Sequence, residues 1–582
     1  MSFEVVASSR LEEREASSWR FVVNTGLQMG GIGLALALVG ILTMFNNRPI
    51  IVDFLTLGYA TLGVLFLVAG ILVGSKRPFR RLPMILTGGA AAGAIAAILV
   101  AILPVTMSMV NLRSVFLSLD RPLLDMLTFY VHPPALGILC LIASGPLLGI
   151  VGVLVVALHQ TIRRPISGGI IAAGLAGLFQ ELIRPILANS SVTKPVHDLL
   201  YTYTGLKLQG AIIIFAVAVV AIAIRDRTRD EMSNRFNHLP PATRRTVRWS
   251  CLAAVAILAA LFPLYAGNFV GQVLLMVGLF ILMGMGLNLE VGIAGLLDLG
   301  FVAFYAVGAY TTALLMADSP FALAHLSYWE AMPVAILASV VVGVIFGIPV
   351  LKVRGDYLAV ATLGLGEIVR VIVLSDAAAP LLAGAKGILQ IPRPTIGGFT
   401  FSTPVSLFYL ALIASIIAAY VAWRLEESRL GRAWKAIRDD EDVAQALGIN
   451  LIRVKLLAYG MGAAFAGLAG SIFAVMLGTI YPHSFQLIIS INILALIIVG
   501  GMGSLPGVAL GAAVLIGLPE ALREFGEFRF LFYGLAIIVV MRLKPEGLWP
   551  SAAKRREMQI DAETATIQSA GLHTETATGH TT

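Results

Sequence analysis

Long apolar segments separated by polar connections recur along almost the whole chain. Many of them are about 20 residues long, which is the length an α-helix needs to cross the hydrocarbon core of a bilayer. The last three are interrupted by glycine-rich turns and by Glu520. The pattern therefore predicts an all-α, polytopic transmembrane helical bundle of about sixteen spans. These are Phe21–Phe45, Phe54–Gly74, Leu82–Val110, Pro133–Leu158, Pro165–Leu187, Leu208–Ile224, Trp249–Ala266, Val270–Leu289, Leu296–Met316, Ala331–Leu351, Tyr357–Leu374, Pro404–Trp423, Leu456–Gly478, Phe485–Val499, Val508–Leu522 and Phe530–Met541.

Basic residues concentrate in the connections and predict the orientation of the bundle. When the spans alternate in direction, all the strongly basic connections fall on one side. They are 76–81, 163–164, 225–248, 352–354, 424–455 and the segment after Arg542. Lys and Arg are enriched in cytoplasmic loops. We therefore expect these connections, and both termini, in the cytoplasm.

Composition agrees with a membrane protein. The chain is 58% hydrophobic and only 13% charged, with a mean hydropathy of +0.90, far from the values of an average soluble domain. Basic residues next to spans are attracted to the anionic lipids of the cytoplasmic leaflet. The net charge of +8 therefore indicates contact with membrane lipid and not with nucleic acid.

No pattern in the chain indicates catalysis. The glycine-rich stretches lack the G-x-x-x-x-G-K-[ST] arrangement that holds ATP phosphates, and the eight histidines are scattered. The two cysteines, Cys140 and Cys251, lie in apolar surroundings and suggest neither a disulfide framework nor a metal site. We predict no catalytic, metal-binding or cofactor-binding residues, and a chain that is not an enzyme.

A polar, charge-dense stretch around Pro240-Pro241 divides the chain into two parts. Such a stretch between apolar runs is typical of a cytosolic linker. After Pro550 the apolar pattern stops and the composition is rich in Thr and Ala, which predicts a disordered tail. The predicted parts are a cytosolic segment at 1–20, an N-terminal extension of six spans at 21–226, a linker at 227–248, a unit of ten spans at 249–545 with a charged loop at 425–455, and a cytosolic tail at 546–582.

The charged loop contains the most informative feature, the island Gly431–Lys455 between two spans that carry no charge. Four acidic residues, Asp439 to Asp442, stand where acidic side chains favour the start of a helix, and Gly448 stands where a helix should end. A short helix at this place is suited to contact a soluble protein. An ordinary solvated loop is the alternative interpretation.

Four segments together resemble the M-type permease subunit of branched-chain amino acid ABC importers. They are GLNLEVGIAGLLDLGFVAFYAVGAYTTALL (Gly286–Leu315), LKVRGDYLAVATLGLGEIVRVIVLS (Leu351–Ser375), GRAWKAIRDDEDVAQALGIN (Gly431–Asn450) and ALIIVGGMGSLPGVALGAA (Ala495–Ala513). The resemblance covers about residues 250–550. It implies a multi-pass permease of the bacterial inner membrane that works with a second permease subunit, two ATPase subunits and a periplasmic amino-acid-binding protein. ATP would then be used by the partner subunits and by no site of this chain.

The resemblance also implies a role for the charged loop. The spacing Asp442-Val443-Ala444, three residues, then Gly448 resembles the EAA loop, which forms the helix that docks on an ATPase. Asp442-Val443 departs from the consensus at its first two positions. The residues implied in coupling are Arg432, Asp439, Asp440, Glu441, Asp442, Ala444 and Gly448.

Polar and glycine residues inside or beside spans are candidates for the translocation path, namely Asn288, Gly295, Asp298 and Ser504. Close helix packing with turns at the membrane surface is the preferred interpretation of their glycine-rich surroundings. Glu367 and Arg370 lie three residues apart on one helical face, where they can neutralise each other. Ionisable residues in spans are costly and usually functional. This pair could line the path or pin its helix to neighbours, and we prefer pinning.

Two classes of function remain open from the residues. The first is the permease of an ABC importer for leucine, isoleucine or valine, with urea or short amides as alternative substrates. The second is a gradient-driven transporter or channel, which needs no docking helix and favours isolated acidic residues as ion sites. The paired charges and the structured loop argue for the first class.

Overall fold

The computed structural model describes residues 2–76, 82–110, 118–189, 193–237, 260–353, 355–523 and 529–551, and singly 116, 240, 243, 246, 250, 258, 526, 554, 556 and 558. The chain contains two compact units, Met1–Leu258 and Ala259–Thr582. Most of the predicted tail, most of the first part of the predicted span Trp249–Ala266 before residue 260, and most of the second half of the predicted linker lie outside the described residues. The first half of that linker continues the preceding helix as far as Asn237.

The first unit consists of helices and one small hairpin. Its elements are α1 (Ser2–Leu38), α2 (Ile41–Asn46), β1 (Pro49–Ile51), β2 (Leu55–Thr56), α3 (Leu57–Lys76), α4 (Leu82–Met109), α5 (Arg121–Leu127), α6 (Pro134–Ala157), α7 (Gln160–Leu178), α8 (Gln180–Ala188), α9 (Lys194–Leu200) and α10 (Leu208–Asn237). The predicted span Pro165–Leu187 is not one straight helix, because α7 and α8 meet at an angle of 77°.

Glycines bring α4 and α6 into direct contact. A side chain at Gly145 would overlap the carbonyl oxygen of Gly93, and one at Gly149 would overlap that of Gly89. Small residues allow such close approach of helix backbones in membranes, where packing replaces the hydrophobic effect as the attraction between helices. The glycines in these apolar spans therefore allow the two helices to pack closely.

The second unit is built on two deeply buried helices. Its elements are α11 (Asn268–Leu287), a π-helical turn (Asn288–Ile293), α12 (Val302–Met316), α13 (Tyr328–Val350), α14 (Asp356–Leu374), α15 (Ala379–Leu382), β3 (Thr395–Ile396), β4 (Phe399–Thr400), α16 (Pro404–Glu427), α17 (Arg429–Asp439), α18 (Glu441–Ala446), α19 (Leu451–Leu477), α20 (Leu487–Gly500), α21 (Leu505–Ala512), a second π-helical turn (Ala513–Gly517), α22 (Leu518–Ala521) and α23 (Arg529–Leu543). Helices α11 and α19 form the centre, and α12, α13 and α16 pack around them.

The prediction of an all-α, polytopic membrane protein is confirmed. Among the described residues, eleven helices are long and apolar enough to cross a membrane, or twelve if the bent pair α7–α8 counts as one span. Two further apolar helices, Val302–Met316 and Leu505–Ala521, are shorter. The predicted span Leu296–Met316 begins only at Val302, because residues 294–301 form a loop.

The chain remains attached to the second unit beyond residue 545, where we predicted its end. Leu548 donates its backbone N–H to the carbonyl of Val499 at 2.8 Å, and Trp549 donates to that of Gly500 at 2.9 Å. Gly501 and Gly547 allow this approach, because a side chain at either position would overlap the facing backbone. The segment from Gly547 to Ser551 is thus part of the folded unit.

Candidate translocation and coupling site

A break in the buried helix α11 forms the centre of the site. After Leu287 the chain makes the π-helical turn Asn288–Ile293 and leaves the helical path at Gly295, where φ is +74°. The Asn288 side-chain oxygen accepts the backbone N–H of Gly503 at 2.8 Å. Irregular backbone inside a membrane protein is tolerated where it is buried in protein or lines a cavity. The break is therefore held against the turn that joins α20 to α21.

Asp298 lies in the loop that follows the break and is buried. One of its carboxylate oxygens accepts the N–H of Gly300 at 2.7 Å. The next residue, Leu299, donates to the hydroxyl of Thr362 on α14 at 2.9 Å. A side chain at Gly300 would overlap the Thr362 carbonyl. These contacts fix the loop against α14.

Glu290 is the residue that sequence analysis missed. It is fully buried in the π-helical turn, and neither carboxylate oxygen has a hydrogen-bond partner among the described residues. Glu290 lies against Gly462 of α19, where an added side chain would overlap its carboxylate. The signal was present, since an acidic residue within an apolar run is costly and usually functional. We overlooked it because the predicted span ended at Leu289.

The Ser504 hydroxyl is not hydrogen-bonded to the Asn288 side chain, which binds the preceding residue, Gly503. It caps α21 by accepting the N–H of Gly507 at 3.2 Å. Ser504 instead shares a cavity of about 740 Å³ with Gly292 beside the helix break and with Arg438 of the charged loop. Asn288, Gly295, Asp298 and Ser504 therefore belong to one neighbourhood around the break.

Glu367 and Arg370 form their predicted ion pair but do not belong to that neighbourhood. The Arg370 Nε donates to both carboxylate oxygens of Glu367 at 3.0 Å. The side chains of Glu367 and Arg370 are 47% and 31% exposed. Their polar contacts in the described part of the chain are with each other. The preferred interpretation, that the pair pins α14 to neighbouring helices, finds no polar contact to support it.

The charged loop folds into two short helices with local caps. The Ser428 hydroxyl accepts the N–H of Leu430 at 3.1 Å and starts α17. The Asp440 carboxylate accepts the N–H groups of Asp442 and Val443 at 2.9 and 3.0 Å and starts α18. Gly448, with φ of +88°, follows the end of α18. The predicted helix start at the acidic cluster and stop at Gly448 are confirmed.

Two contacts hold the helices of this loop against the start of α19. The indole of Trp434, which is fully buried, donates to the carbonyl of Val454 at 2.8 Å. Lys455, whose side chain is only 4% exposed, pairs with Glu441. Ala444 is buried as well. Since breaking a buried pair leaves an uncompensated charge, the Lys455–Glu441 contact makes Glu441 a structural residue.

Arg438 connects the loop to the helix break. Its guanidinium donates to the carbonyl oxygen of Gly292 at 2.8 Å. A side chain at Gly295 would lie 2.7 Å from the Arg438 Cγ, so the break needs glycine at this contact. The two residues that form the hydrogen bond are 146 positions apart, and sequence analysis did not connect them.

The face of α18 that carries Val443 and Leu447 is exposed. Val443 and Leu447 are 55% and 76% exposed, and the charged residues Asp439 and Asp442 near them in the chain and Arg432 on α17 are exposed as well. Exposed apolar side chains rimmed by polar residues are typical of protein interaction sites. Among the predicted coupling residues, Glu441, Ala444, Asp440 and Gly448 therefore serve the fold of the loop, while Asp439 and Asp442 are exposed near this surface.

The residues of this site lie in a part of the chain that is similar to known proteins. Residues 269–541 match the family model described as branched-chain amino acid transport system / permease component. The high-affinity branched-chain amino acid transport system permease protein LivM of Escherichia coli (strain K12) is 34% identical over 415 residues, which cover 67% of this chain and 94% of the relative. The chain belongs to this permease family.

Other relatives agree with the assignment. The LivM permease of Salmonella typhimurium is 34% identical over 403 residues, covering 65% of this chain and 92% of the relative. The permease protein LivH of Escherichia coli (strain K12) is 23% identical over 288 residues, covering 46% of this chain and 90% of the relative. No solved structure matches the chain.

Family membership decides between the two classes of function that the residues left open, the permease of an ABC importer and a gradient-driven transporter or channel. This branched-chain amino acid permease is the transport subunit of an ABC system and not an enzyme, and ATP is hydrolysed by partner ATPases. It is a multi-pass membrane protein homologous to permeases of the bacterial inner membrane. A third of the chain, including an N-terminal region, lies beyond the matched part.

Proposed function

We propose that this permease forms one half of the membrane channel of an importer that carries leucine, isoleucine and valine inward. A second permease subunit forms the other half, two ATPases bind the cytoplasmic face, and a periplasmic binding protein delivers the amino acid. The observation that carries this proposal is the hydrogen bond between Arg438 in the charged loop and the Gly292 carbonyl in the helix break. This hydrogen bond connects the loop that binds the ATPase directly to the helix break in the interior of the permease.

Helix α18 is the docking element in this proposal. Val443 and Leu447 supply apolar contact area, and the exposed Asp439, Asp442 and Arg432 supply a charged rim. Protein interfaces commonly combine such an apolar centre with a polar rim. The caps at Ser428 and Asp440 keep the two short helices formed before the partner binds.

Transmission then runs from α17 to the break. Trp434 and the Lys455–Glu441 pair make the loop rigid, so a displacement of α18 moves α17 as well. Arg438 passes this movement to Gly292, and Asn288 passes it to the turn at Gly503. Broken helices are common at the binding sites of membrane transporters, because their free backbone groups can face the substrate.

The translocation path in this proposal follows two sets of residues. Asn288, Gly295, Asp298 and Ser504 surround the break and form its cytoplasmic part. Glu367 and Arg370 lie on the surface of α14, and partly exposed charges are too costly to face lipid. We therefore assign this surface to the boundary with the second permease, where water or polar groups meet the pair.

The charged loop faces the cytoplasm in this arrangement, as do both termini. The distribution of basic residues supports this orientation. Sixteen crossings result if α7–α8, α12, α21–α22, α23 and residues 249–266 each cross, in addition to the eleven long apolar helices. The loop before α13 then lies on the opposite side of the membrane from α18.

Cysteine labelling tests this orientation. In a C140S/C251S background we expect a membrane-impermeant maleimide to label Leu323→Cys in intact spheroplasts. Gln445→Cys, on α18, should react only after lysis. Both positions are exposed, so that access to the reagent and not burial decides the result. Labelling of Gln445→Cys in intact spheroplasts would contradict the proposed topology.

Substitutions on the docking face test the proposed function. Deleting 439–449 is a poor test, because it removes Glu441 and leaves the buried Lys455 unpaired. We expect Val443→Glu/Leu447→Glu to keep the fold and to lower both co-purification of the ATPases and labelled-leucine uptake at least about tenfold. Burying two carboxylates at the centre of an interface costs on the order of 2 kcal/mol or more.

The control is Leu323→Glu, an equally exposed apolar position in the loop before α13. It should leave uptake and co-purification unchanged. Excess unlabelled isoleucine and valine should compete with leucine, whereas urea should not. Wild-type co-purification and uptake in the double variant would remove α18 as the docking element.

A further inference from the structure

Five buried side-chain atoms around the helix break have no hydrogen-bond partner among the described residues. They are Asn288 Nδ2, both carboxylate oxygens of Glu290, Asp298 Oδ2 and the hydroxyl oxygen of Tyr459. Buried polar groups are nearly always paired, so each exception requires an explanation. Four of the five atoms are oxygens, and three of these belong to carboxyl groups.

These oxygens lie in one place. The carboxyl groups of Glu290 and Asp298 interact with each other, and both interact electrostatically with the Tyr459 hydroxyl. Tyr459 stands one helical turn before Gly462, the residue against which Glu290 packs. Because the π-helical turn, the following loop and α19 each contribute, the cluster depends on the fold of the whole unit.

The cluster lacks a balancing positive charge. None of the ion pairs among the described residues involves Glu290 or Asp298. Three basic groups on the neighbouring elements are engaged elsewhere: Arg438 binds the Gly292 carbonyl, Lys455 pairs with Glu441, and Lys435 pairs with Glu426. Arg453, at the start of α19, is exposed. A buried carboxylate without a counter-charge is strongly disfavoured. A positive charge is therefore missing from this place.

The surroundings restrict what can supply that charge. The facing groups are oxygens, which suit hard cations. The space is tight, since even a methyl group at Gly462 would overlap Glu290. No group of three or more His, Cys, Asp or Glu side chains that could hold a metal ion occurs in the described part of the chain. A proton or Na⁺ meets these conditions, whereas an amino acid does not fit.

We propose that Glu290, Asp298 and Tyr459 form a binding site for one small monovalent cation, either a proton or Na⁺. The bound cation joins the helix break to α19 and so stabilises the folded arrangement of the unit. This site is distinct from the recognition of the transported amino acid, and the proposal does not depend on which substrate is carried.

Thermal unfolding of the purified full chain in detergent tests this site. Melting temperatures are measured from pH 8 to pH 5, in NaCl and in choline chloride at equal ionic strength. If Na⁺ binds, NaCl raises the Tm of the wild type above its value in choline chloride at fixed pH. If a proton binds, the Tm of the wild type rises as the pH falls, equally in both salts.

The variant Glu290→Gln removes one carboxylate and keeps its shape, so we expect it to lose most of whichever dependence the wild type shows. Glu546→Gln is the matched control, because Glu546 is exposed, and it should behave as the wild type. Tyr459→Phe provides a second variant that keeps both carboxyl groups and should weaken the dependence. A wild type whose Tm responds to neither Na⁺ nor pH, or a Glu290→Gln variant that responds as the wild type does, overturns the proposal.

Discussion

Replacing Arg438 with alanine should abolish most transport while leaving the ATPases bound. The variant loses the hydrogen bond between the guanidinium and the Gly292 carbonyl, which is 2.8 Å long. A hydrogen bond from a charged group contributes about 1.5–3 kcal/mol, so we expect a loss of labelled-leucine uptake of at least about tenfold. Co-purification of the ATPases should remain near the wild-type level, because the hydrogen bond that is lost goes to the helix break. The other contact of Arg438, an exposed pair of 3.6 Å with Asp439 at the rim of the docking face, contributes little.

Arg453→Ala is the matched control for this experiment. Arg453 is an exposed arginine in the first turn of α19, on the same side of the membrane as the loop. It should leave uptake unchanged. Loss of ATPase binding in Arg438→Ala would place Arg438 in the docking surface instead. Wild-type uptake by Arg438→Ala would show that coupling uses another connection.

Removing Glu367 should have the second large effect. Glu367→Ala leaves Arg370 without its partner in a membrane-spanning helix, where an arginine costs about 2.5–3.5 kcal/mol. We expect lower recovery of the complex with the second permease and a loss of leucine uptake of at least about tenfold. The exchange Glu367→Arg/Arg370→Glu keeps a neutral pair, so it should restore recovery of the complex.

Uptake by the exchanged variant tests whether this pair lines the path. If the pair lines the path, the reversed charges meet the zwitterionic substrate in the wrong order and uptake stays low. Full uptake would mean that Glu367 and Arg370 only neutralise each other's charge and do not line the path. Asp318→Asn is the control, because Asp318 and His325 form an exposed contact of 3.7 Å outside the spans, and it should have no effect.

Much of the fold follows from local pattern. The eleven long apolar helices all correspond to predicted spans, because the bilayer sets a length and polarity that each segment meets alone. The observed helices differ from the predicted spans where a helix is interrupted. The bend between α7 and α8 and the late start of α12 at Val302 depend on backbone breaks that hydropathy does not register.

Some of the candidate site could be predicted for the same reason. The ends of α18 follow from Asp440 and Gly448, since capping acts within a few residues. Glu367 and Arg370 pair because they are three residues apart on one helix. Asp298 was identified as a candidate, but its burial was not, because burial depends on α14 and not on neighbouring residues.

The sequence by itself determined the class of protein, its eleven long apolar helices, the charged loop and the family that the comparisons establish. Only the tertiary structure decided which polar residues meet. It joined Arg438 to Gly292 and Asn288 to Gly503, pairs separated by 146 and 215 positions. It also enclosed Glu290 beside Asp298 and Tyr459. The physical reason is that spans and caps are set by interactions between near neighbours, whereas these contacts exist only after distant helices have packed.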